Sequence, residues 1–536
     1  MKRIAIYLFI LGGVIITPSQ VFSQDSLLLR SYLFVKQQDP WLTNQNAAAL
    51  TRFKAKSISE AELSLSHAKG GFTDYYESPK VLQFDVAVES FYRLSSRTVV
   101  FGSVHYDNFS GHDMAGSAFI NPTRLPFNIV EDSLTNTGKK HRDTYQLSGA
   151  IGVDLWKGLS LGARLEYTSA NIAKYKDLRH KNSYMNLNVS AGFYVPIGPF
   201  NFGANYQYRR TTETIRFSTY GTNDKVYKSL IDYANFTGHI EQFGESGFTD
   251  NSREMPLLDN YHGIGIQLGW NICRTLYFFH SFNTSWRDGY YGRKSPYTIT
   301  YTNHESHIYD YQANLMLKTR YQQHTLSLNL NAENLENLRS SYQELTNDAG
   351  AYYYEYYSPL KTASKLWVNT ALKYTADLGI REELPTWTLS AALRLFHRKQ
   401  TAYGYPYLRR QKLDNTEISV SAERNILTKK GVVTLHLDGS YLYGSGEPYE
   451  DATFIAPSDK QTPPPEMTVY LWREYQWLTS AQYVIGGYAK YGFIFPQTRL
   501  KTYVKAAISH RKANETNSYS AGKDHTTLQI AIGCTF

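Results

Sequence analysis

Apolar and polar side chains alternate with a period of two along most of this chain, and this alternation restricts the fold more than any other feature. In residues 159–167, one face carries only the apolar side chains Leu159, Leu161, Ala163, Leu165 and Tyr167. Residues 200–209 and 326–333 repeat the pattern. Because successive side chains of a strand point to opposite faces, the pattern predicts strands with one apolar and one polar face.

The alternating segments are long and numerous. They run to about 10–14 residues, whereas strands usually have five or six. Eighteen segments lie near residues 57–67, 81–94, 98–108, 145–155, 159–173, 184–195, 200–215, 261–271, 275–286, 308–321, 325–335, 365–376, 387–398, 415–424, 432–444, 481–495, 499–510 and 526–536. The phase at 275–286 is ambiguous, and merging weak segments would leave about 14 to 16 strands.

Short and long connections alternate between these segments. Short turns lie at 95–97, 156–158, 196–199, 271–274, 321–324, 428–431 and 495–497, with a longer turn at 377–386. Long polar loops are predicted at 110–143, 217–259, 287–306, 338–364, 399–414 and 446–467. A soluble sandwich would also alternate, but long paired strands with unequal connections are typical of outer-membrane barrels. We therefore predict an all-β fold, a single transmembrane antiparallel β-barrel of about 18 strands with short periplasmic turns and long extracellular loops.

The composition excludes several other classes of protein. A mean hydropathy of −0.43 is too low for a bundle of membrane helices. Two cysteines, Cys273 and Cys534, are too few for a disulfide-stapled domain, and we expect them not to pair with each other. The 45 tyrosines suit a chain that meets the membrane–water interface many times. The net charge of +9 is spread along the chain without a basic stripe, so we expect no nucleic-acid partner.

The first residues resemble a secretory signal. Lys2 and Arg3 precede an apolar run from Ile4 to Ile16, and Ser23 offers a small side chain for cleavage. We predict a signal peptide at 1–23, an N-terminal periplasmic arm or short hatch at 24–56, and the barrel at 57–536. The arm does not alternate, and an ordered periplasmic tail is the alternative to a segment folded into the lumen.

The polar face of each strand would line the lumen of such a barrel. The candidate pore-lining residues are Arg164, Glu166, Arg209, Glu333, Lys373, Arg394, Lys501 and Lys505. Positive and negative side chains on this face are nearly balanced, and they do not form a ring of one sign that would select ions. They either pair as a structural network across the lumen or bind a solute.

The last predicted strand ends the chain on Phe536 with its apolar row intact. This ending resembles the C-terminal signal by which outer-membrane barrels are delivered to the barrel-assembly machinery. The resemblance implies that Phe536 acts as an assembly signal and that this machinery is a partner of the chain.

The whole mature chain resembles outer-membrane β-barrel families of Bacteroidota whose function is unassigned. The segments that carry the resemblance are the leader end, Asp39-Pro40-Trp41-Leu42 and the terminal Gly533-Cys534-Thr535-Phe536. The stretch from Asn46 to Leu50 is similar to the Asn-Pro-Ala-Ala-Leu signature of fatty-acid-transporter-like barrels, with Ala47 in place of proline. That similarity implies an arm that enters the lumen before the first strand.

Catalytic and metal-binding patterns are weak in this sequence. Ser281 follows His280 directly, so the two side chains would point to opposite faces, unlike the pair of a barrel phospholipase. The run from His304 to His307 is one residue short of the helical zinc motif. We predict no enzymatic activity, no cofactor and no metal. The tyrosines at 352–357 are expected to pack at the outer rim or to contact a glycan or a partner.

We therefore predict a solute channel or an import-assisting, porin-like barrel in the outer membrane, in contact with lipid or lipopolysaccharide. The alternative is an occluded binding or scaffold barrel that joins a neighbouring receptor, lipoprotein or secretion complex through its extracellular loops.

Overall fold

The computed structural model describes residues 28–131, 136–156, 158–220, 225–245, 247–250, 255–495, 500–516 and 518–536. The predicted leader at 1–23, the start of the arm and parts of the turns at 156–158 and 495–497 lie outside these residues. Within the described ranges, no helix is both long enough and apolar enough to cross a membrane.

Eighteen long strands form one sheet. They are β1 (Ser57–Lys69), β2 (Lys80–Arg93), β3 (Thr98–Met114), β5 (Gly138–Trp156), β6 (Leu159–Lys174), β7 (Arg179–Ile197), β8 (Phe200–Ser218), β11 (Met255–Asn271), β12 (Leu276–Ser295), β13 (Thr298–Lys318), β14 (Gln322–Arg339), β17 (Leu360–Leu378), β18 (Trp387–Gly404), β19 (Tyr407–Leu427), β20 (Gly431–Thr453), β21 (Gln482–Ile494), β22 (Lys501–Ala513) and β23 (Asp524–Thr535).

Smaller elements lie outside this sheet. The arm contains helix α1 (Tyr32–Gln37) and the 3₁₀ helix η1 (Ala47–Arg52), and helix α2 (Thr468–Thr479) precedes β21. The short strands β4 (Asn128–Glu131), β9 (Lys228–Ala234) and β10 (Thr237–Gln242) form a second sheet. The strands β15 (Tyr342–Thr346) and β16 (Tyr352–Tyr356) form a separate hairpin.

The large sheet closes on itself. Each of its strands pairs antiparallel with the neighbours that precede and follow it in the barrel, and β1 pairs with β23, where Leu65 faces Ile530. At the chain end, Ser59 and Phe536 exchange backbone N–H···O bonds of 2.8 and 3.0 Å. Closure satisfies the edge groups that lipid could not pair. The predicted 18-stranded antiparallel barrel is confirmed, and all eighteen predicted segments are strands.

The predictions of long loops at 287–306 and 399–414 are wrong. Strand β12 continues to Ser295 and β13 resumes at Thr298, while β18 ends at Gly404 and β19 begins at Tyr407. These residues continue the backbone ladder on the long-loop side of the barrel. Polar side chains here are mixed with inward-packed apolar ones such as Tyr291, Ile299 and Ala402, so the period of two fades although the backbone pairing persists.

The apolar row of the strands lies on the outside of the barrel. Leu161 is 45% exposed and Leu165 is 49% exposed, whereas Arg164 and Glu166 on the opposite face are bonded to each other at 2.7 Å. Apolar side chains left exposed in this regular pattern around the barrel form the face that a lipid bilayer covers.

Replacing Leu165 by Arg should reduce the free energy of unfolding by about 2–4 kcal/mol, because residue 165 lies near mid-strand and mid-bilayer. The matched control, Leu161→Arg, lies near the short-turn end of β6 and should cost about 0–1 kcal/mol. Urea unfolding of both variants in lipid vesicles measures the difference. Equal costs for the two variants would contradict the depth assigned to them.

Candidate functional site

The N-terminal arm enters the lumen at the short-turn end of the barrel. The 3₁₀ helix η1 packs on β5, β6 and β7 near the short turns that join β5 to β6 and β7 to β8, and its residues Ala47 to Leu50 are buried. The side chain of Asn46 caps η1 by accepting a hydrogen bond of 3.2 Å from the backbone N–H of Ala48. The arm therefore forms part of the lumen filling. The predicted domain boundaries remain predictions.

Asn46 also joins the arm to the wall. Its Nδ2 donates to the Phe193 carbonyl at 2.8 Å and to Gln267 Oε1 at 3.0 Å. Trp41 contributes a second contact, because its indole N–H donates to the Tyr277 hydroxyl at 2.6 Å and its ring packs edge-on against Phe279. These directional bonds fix the arm in one register on the wall.

Two wall glycines allow the arm to approach this closely. A Cβ atom on Gly162 would lie 2.2 Å from the backbone nitrogen of Ala48. On Gly203 it would lie 2.7 Å from Asn46 Nδ2. Neither distance leaves room for a side chain. At Gly162 the backbone of the arm therefore rests directly on the backbone of the wall, and at Gly203 the missing side chain makes room for the Asn46 and Trp41 side chains.

Charged side chains tie the remaining parts of the arm to the barrel. Arg52 donates to Asp39 at 2.8 Å and to the Tyr194 hydroxyl at 2.8 Å. Burial opposes the charge of Arg52, but the Asp39 carboxylate raises the pKa of Arg52 above its ordinary value. Lys501 Nζ donates to the carbonyls of Leu28 and Arg30 at 2.9 and 2.7 Å.

Inward-folded loops fill the other end of the lumen. We refer to the sheet β4–β9–β10, together with the residues that lead into β4, as the plug. Its fully buried Phe127, Ile129 and Ile231 form an apolar cluster with wall residues near the long-loop end, such as Tyr291. Lys365 Nζ on the wall donates to the Leu125 carbonyl of this plug at 3.0 Å. Parts of the long connections therefore fold into the lumen and close its long-loop end.

Helix α2 joins the same plug. Glu474 on α2 accepts two hydrogen bonds from Arg398 on the wall, at 3.0 and 2.6 Å. Arg473 donates to the Thr73 hydroxyl of the β1–β2 connection at 2.7 Å. Burial, with the nearby Glu474 carboxylate, raises the pKa of Asp74 in that connection well above its usual range.

A polar chamber lies between the arm and the plug. It consists of one cavity of about 710 Å³ beside the arm residues Lys36 and Gln45, and one of about 350 Å³ beside the plug residue Arg124. The two cavities share Gln207 and Arg209 of β8, so they adjoin. We refer to both cavities together as the chamber.

Ion pairs neutralise most of the charge that lines the chamber. Arg164 pairs with Glu166, and Lys36 pairs with Glu89 at 2.7 Å. The densest group is buried, where Arg287 donates to both oxygens of Asp259 at 2.8 and 3.1 Å. His304 bonds to the same carboxylate at 2.5 Å.

The structure brings only some of the predicted pore-lining residues together. Arg164, Glu166, Arg209 and Glu333 line the chamber. The other four lie elsewhere: Arg394 pairs with Glu417 at 3.0 Å, Lys505 pairs with Glu62 at 3.0 Å, Lys501 holds the arm, and Lys373 is exposed on β17. A role in solute passage remains a prediction for all eight residues.

Sequence reasoning missed the buried triad of Asp259, Arg287 and His304. All three fall at or within the predicted loops, where the extended strands β11, β12 and β13 place Asp259 and His304 opposite Gly289, two residues along β12 from Arg287. The signal available in the sequence was that each of the three lies two residues along its strand from another residue that faces the lumen. His304 and His307 lie on opposite faces of β13, and the described residues contain no group of three or more metal-ligand side chains.

The sequence profile of one protein family matches residues 47–536. It is described as a family of unknown function, DUF6850. The chain belongs to this family. No curated protein matches the chain. The predicted Bacteroidota affiliation remains a resemblance of the sequence.

The chain is similar to several solved structures at low identity. The ferric preacinetobactin receptor BauA from Acinetobacter baumannii is 10% identical with a TM-score of 0.40, covering 89% of this chain and 80% of that chain. The ferric citrate transporter FecA is 11% identical with a TM-score of 0.38, covering 90% and 79%. The TodX monoaromatic hydrocarbon channel is 10% identical with a TM-score of 0.30, covering 92% of each chain. These similarities are too low to assign a substrate.

Replacing Arg287 by Leu should reduce the free energy of unfolding by about 3–5 kcal/mol, because it leaves the buried carboxylates of Asp259 and Glu333 without this cation. The control, Arg394→Leu, breaks an ion pair whose arginine is 64% exposed and should cost about 1 kcal/mol or less. Chemical unfolding in vesicles compares them. A cost for Arg287→Leu no larger than the control would contradict the structural role of the triad.

Proposed function

We propose that this member of the DUF6850 family is an outer-membrane transport barrel that passes a small polar solute and is closed at rest by its own chain. The observation that carries the proposal is the polar chamber enclosed between the arm and the plug. An 18-stranded barrel is wide enough to conduct, and this one retains a chamber of solute size. The low-identity relatives include receptors, transporters and a channel of this architecture.

The arm is the better candidate for the moving part. It is a single short segment that packs on the wall through apolar residues such as Leu50 and Phe53 and is positioned by the hydrogen bonds of Asn46 and Trp41. The plug, in contrast, consists of several chain segments that share an apolar core. Releasing the arm would open the short-turn end while leaving the barrel wall and the plug intact.

An occluded scaffold barrel is the second candidate. At the long-loop end, the hairpin β15–β16 presents Tyr352 (62% exposed), and Tyr357 (52% exposed) directly follows the hairpin. Within the hairpin, Tyr342 packs against Tyr354 and Tyr356, so part of the tyrosine cluster serves loop packing, as predicted. The exposed remainder suits contact with a partner receptor, a lipoprotein or a glycan.

A disulfide between the arm and the wall should close the transport path. The hydroxyl oxygens of Thr51 in η1 and Ser160 in β6 are 3.0 Å apart, so Thr51→Cys with Ser160→Cys places two sulfurs within bonding reach. In a background with Cys273→Ser and Cys534→Ser, we expect planar-bilayer conductance to fall at least tenfold on oxidation and to return with dithiothreitol.

The control staple joins two wall strands and leaves the arm free. Ser390 and Ser421 lie opposite each other on β18 and β19 with hydroxyl oxygens 2.7 Å apart. Oxidising Ser390→Cys with Ser421→Cys should leave the conductance unchanged. Equal currents with the arm locked and released would show that the arm is not the gate. Silence of the folded protein in every state would favour the scaffold barrel.

The orientation of the barrel gives a second test. An epitope inserted after Ala349, between β15 and β16, should be labelled on intact cells, because long connections of outer-membrane barrels face outside. The same epitope at Lys429, in the short turn between β19 and β20, should be labelled only after the envelope is opened. The reverse labelling would overturn the assigned topology.

A further inference from the structure

We propose that the chamber binds a short zwitterionic peptide, with its carboxylate at Arg209 and its ammonium group at Asp310. This inference names a class of ligand for the chamber. It rests on the proposed function only in taking the bound peptide to be the solute that the barrel transports. It starts from the charges that line the chamber and that no opposite charge neutralises.

Arg209 differs from the other lysines and arginines of the chamber. Lys36, Arg124, Arg164 and Arg287 each form an ion pair with a carboxylate, at 2.7, 3.6, 2.7 and 2.8 Å. Within the described residues, Arg209 forms no such pair, and its Nε donates to the neutral Asn186 Oδ1 at 3.1 Å. It is half-buried at the junction of the two cavities. A guanidinium group in this position is complementary to a carboxylate.

The aromatic ring of Tyr261 positions this cation. The Arg209 guanidinium carbon lies 4.8 Å from the centre of the Tyr261 ring, and that of Arg287 lies 5.6 Å from it. The two guanidinium groups and the ring form a positive wall of the cavity. Because Asp259 already neutralises Arg287, the uncompensated positive charge of this wall lies at Arg209.

Asp310 is the matching negative group of the same cavity. Its carboxylate accepts a short hydrogen bond from the Asn331 amide and, among the described residues, has no ion pair with a cation. Two other acids of the cavity, Asp259 and Glu333, pair with arginines. Glu213 also lines the cavity, but its side chain is buried and its Oε1 accepts from the Ile120 N–H at 2.9 Å and from Asn182 at 2.6 Å, so these neutral donors hold it in place.

The strand register gives the scale of the ligand. Arg209, Tyr261, Arg287 and Ser306 are successive register partners on β8, β11, β12 and β13, and Asp310 lies four residues further along β13. Three strand spacings and four residues place the two Cα atoms roughly 20 Å apart along the curved wall. The arginine side chain spans part of this distance, which leaves room for a peptide of about three residues at 3.3–3.6 Å each.

The remaining lining suits peptide groups. Gln207, Ser285, Thr211 and Asn331 line the same cavity and offer amide and hydroxyl groups that both donate and accept hydrogen bonds. A free amino acid would be too short to reach both charges, and a lipid chain would meet a mostly polar wall. A short peptide satisfies the two charges and the neutral polar groups together.

Equilibrium dialysis of the full-length folded protein in detergent tests the inference with three labelled probes: trialanine, N-acetyl-trialanine and trialanine amide. Trialanine should bind at least tenfold more tightly than either blocked form, because each blocked form lacks one charged contact. Dialysis to equilibrium allows slow entry past the arm. Equal binding of the three probes, or no binding of trialanine, would overturn the proposal.

Variants then assign the two ends. Arg209→Gln should abolish the advantage of trialanine over the amide, whereas Asp310→Asn should abolish its advantage over the acetylated peptide. Arg394→Gln, outside the chamber, should change neither ratio. Since this binding assay requires no transport across a lipid bilayer, binding without current would refute only the transport function. Current without trialanine binding would refute only this assignment of substrate. The probe comparison on the unmodified protein decides the question even if a variant does not fold.

Discussion

Closure of the backbone hydrogen-bond ladder is the constraint on which the rest of this structure depends. In lipid, an unpaired N–H or C=O group costs several kcal/mol, so a sheet that crosses a bilayer cannot have edges. The pairing of β1 with β23 removes the last two edges, and the backbone of the final residue, Phe536, takes part through Ser59. Closure fixes which face of every strand meets lipid. It thereby also fixes which polar side chains must share an interior.

The interior of an 18-stranded barrel is too wide for wall side chains alone to fill. This chain fills it from both ends with segments of its own. The arm fits because Gly162 leaves room for its backbone and because its apolar residues, such as Leu50 and Phe53, pack on the wall. The loop plug brings an apolar core of residues such as Phe127 and Ile231. One end is thus closed by a single short segment and the other by a small folded unit of several segments, and this difference is the basis for assigning motion to the arm.

Charge in the lumen follows the same logic. Buried charges are tolerated only where they are paired and hydrogen-bonded, and the triad of Asp259, Arg287 and His304 meets this condition. Structural pairing of this kind accounts for most of the near balance of charge on the polar faces. Among the described residues, Arg209 and Asp310 line the chamber without an ion pair, and charged groups that line a cavity without an opposite charge are where a ligand gains most from binding.

The sequence by itself determined the architecture of this protein. The period of two predicted the eighteen strands and their outward faces, because that period is set by the local geometry of each strand. It did not predict how far β12, β13, β18 and β19 extend on the long-loop side, since the alternation fades there and pairing depends on the neighbouring strand. The chamber was decided only by the tertiary structure. Arg209 and Glu333 were predicted to line the lumen. Their distinct states depend on residues of other elements: Arg209 bonds to the neutral Asn186 of the neighbouring strand, whereas Glu333 pairs with arginines, one of which, Arg124, lies in the plug. Long-range register, inward folding of the arm and packing of the plug bring those partners together, and no local pattern encodes them.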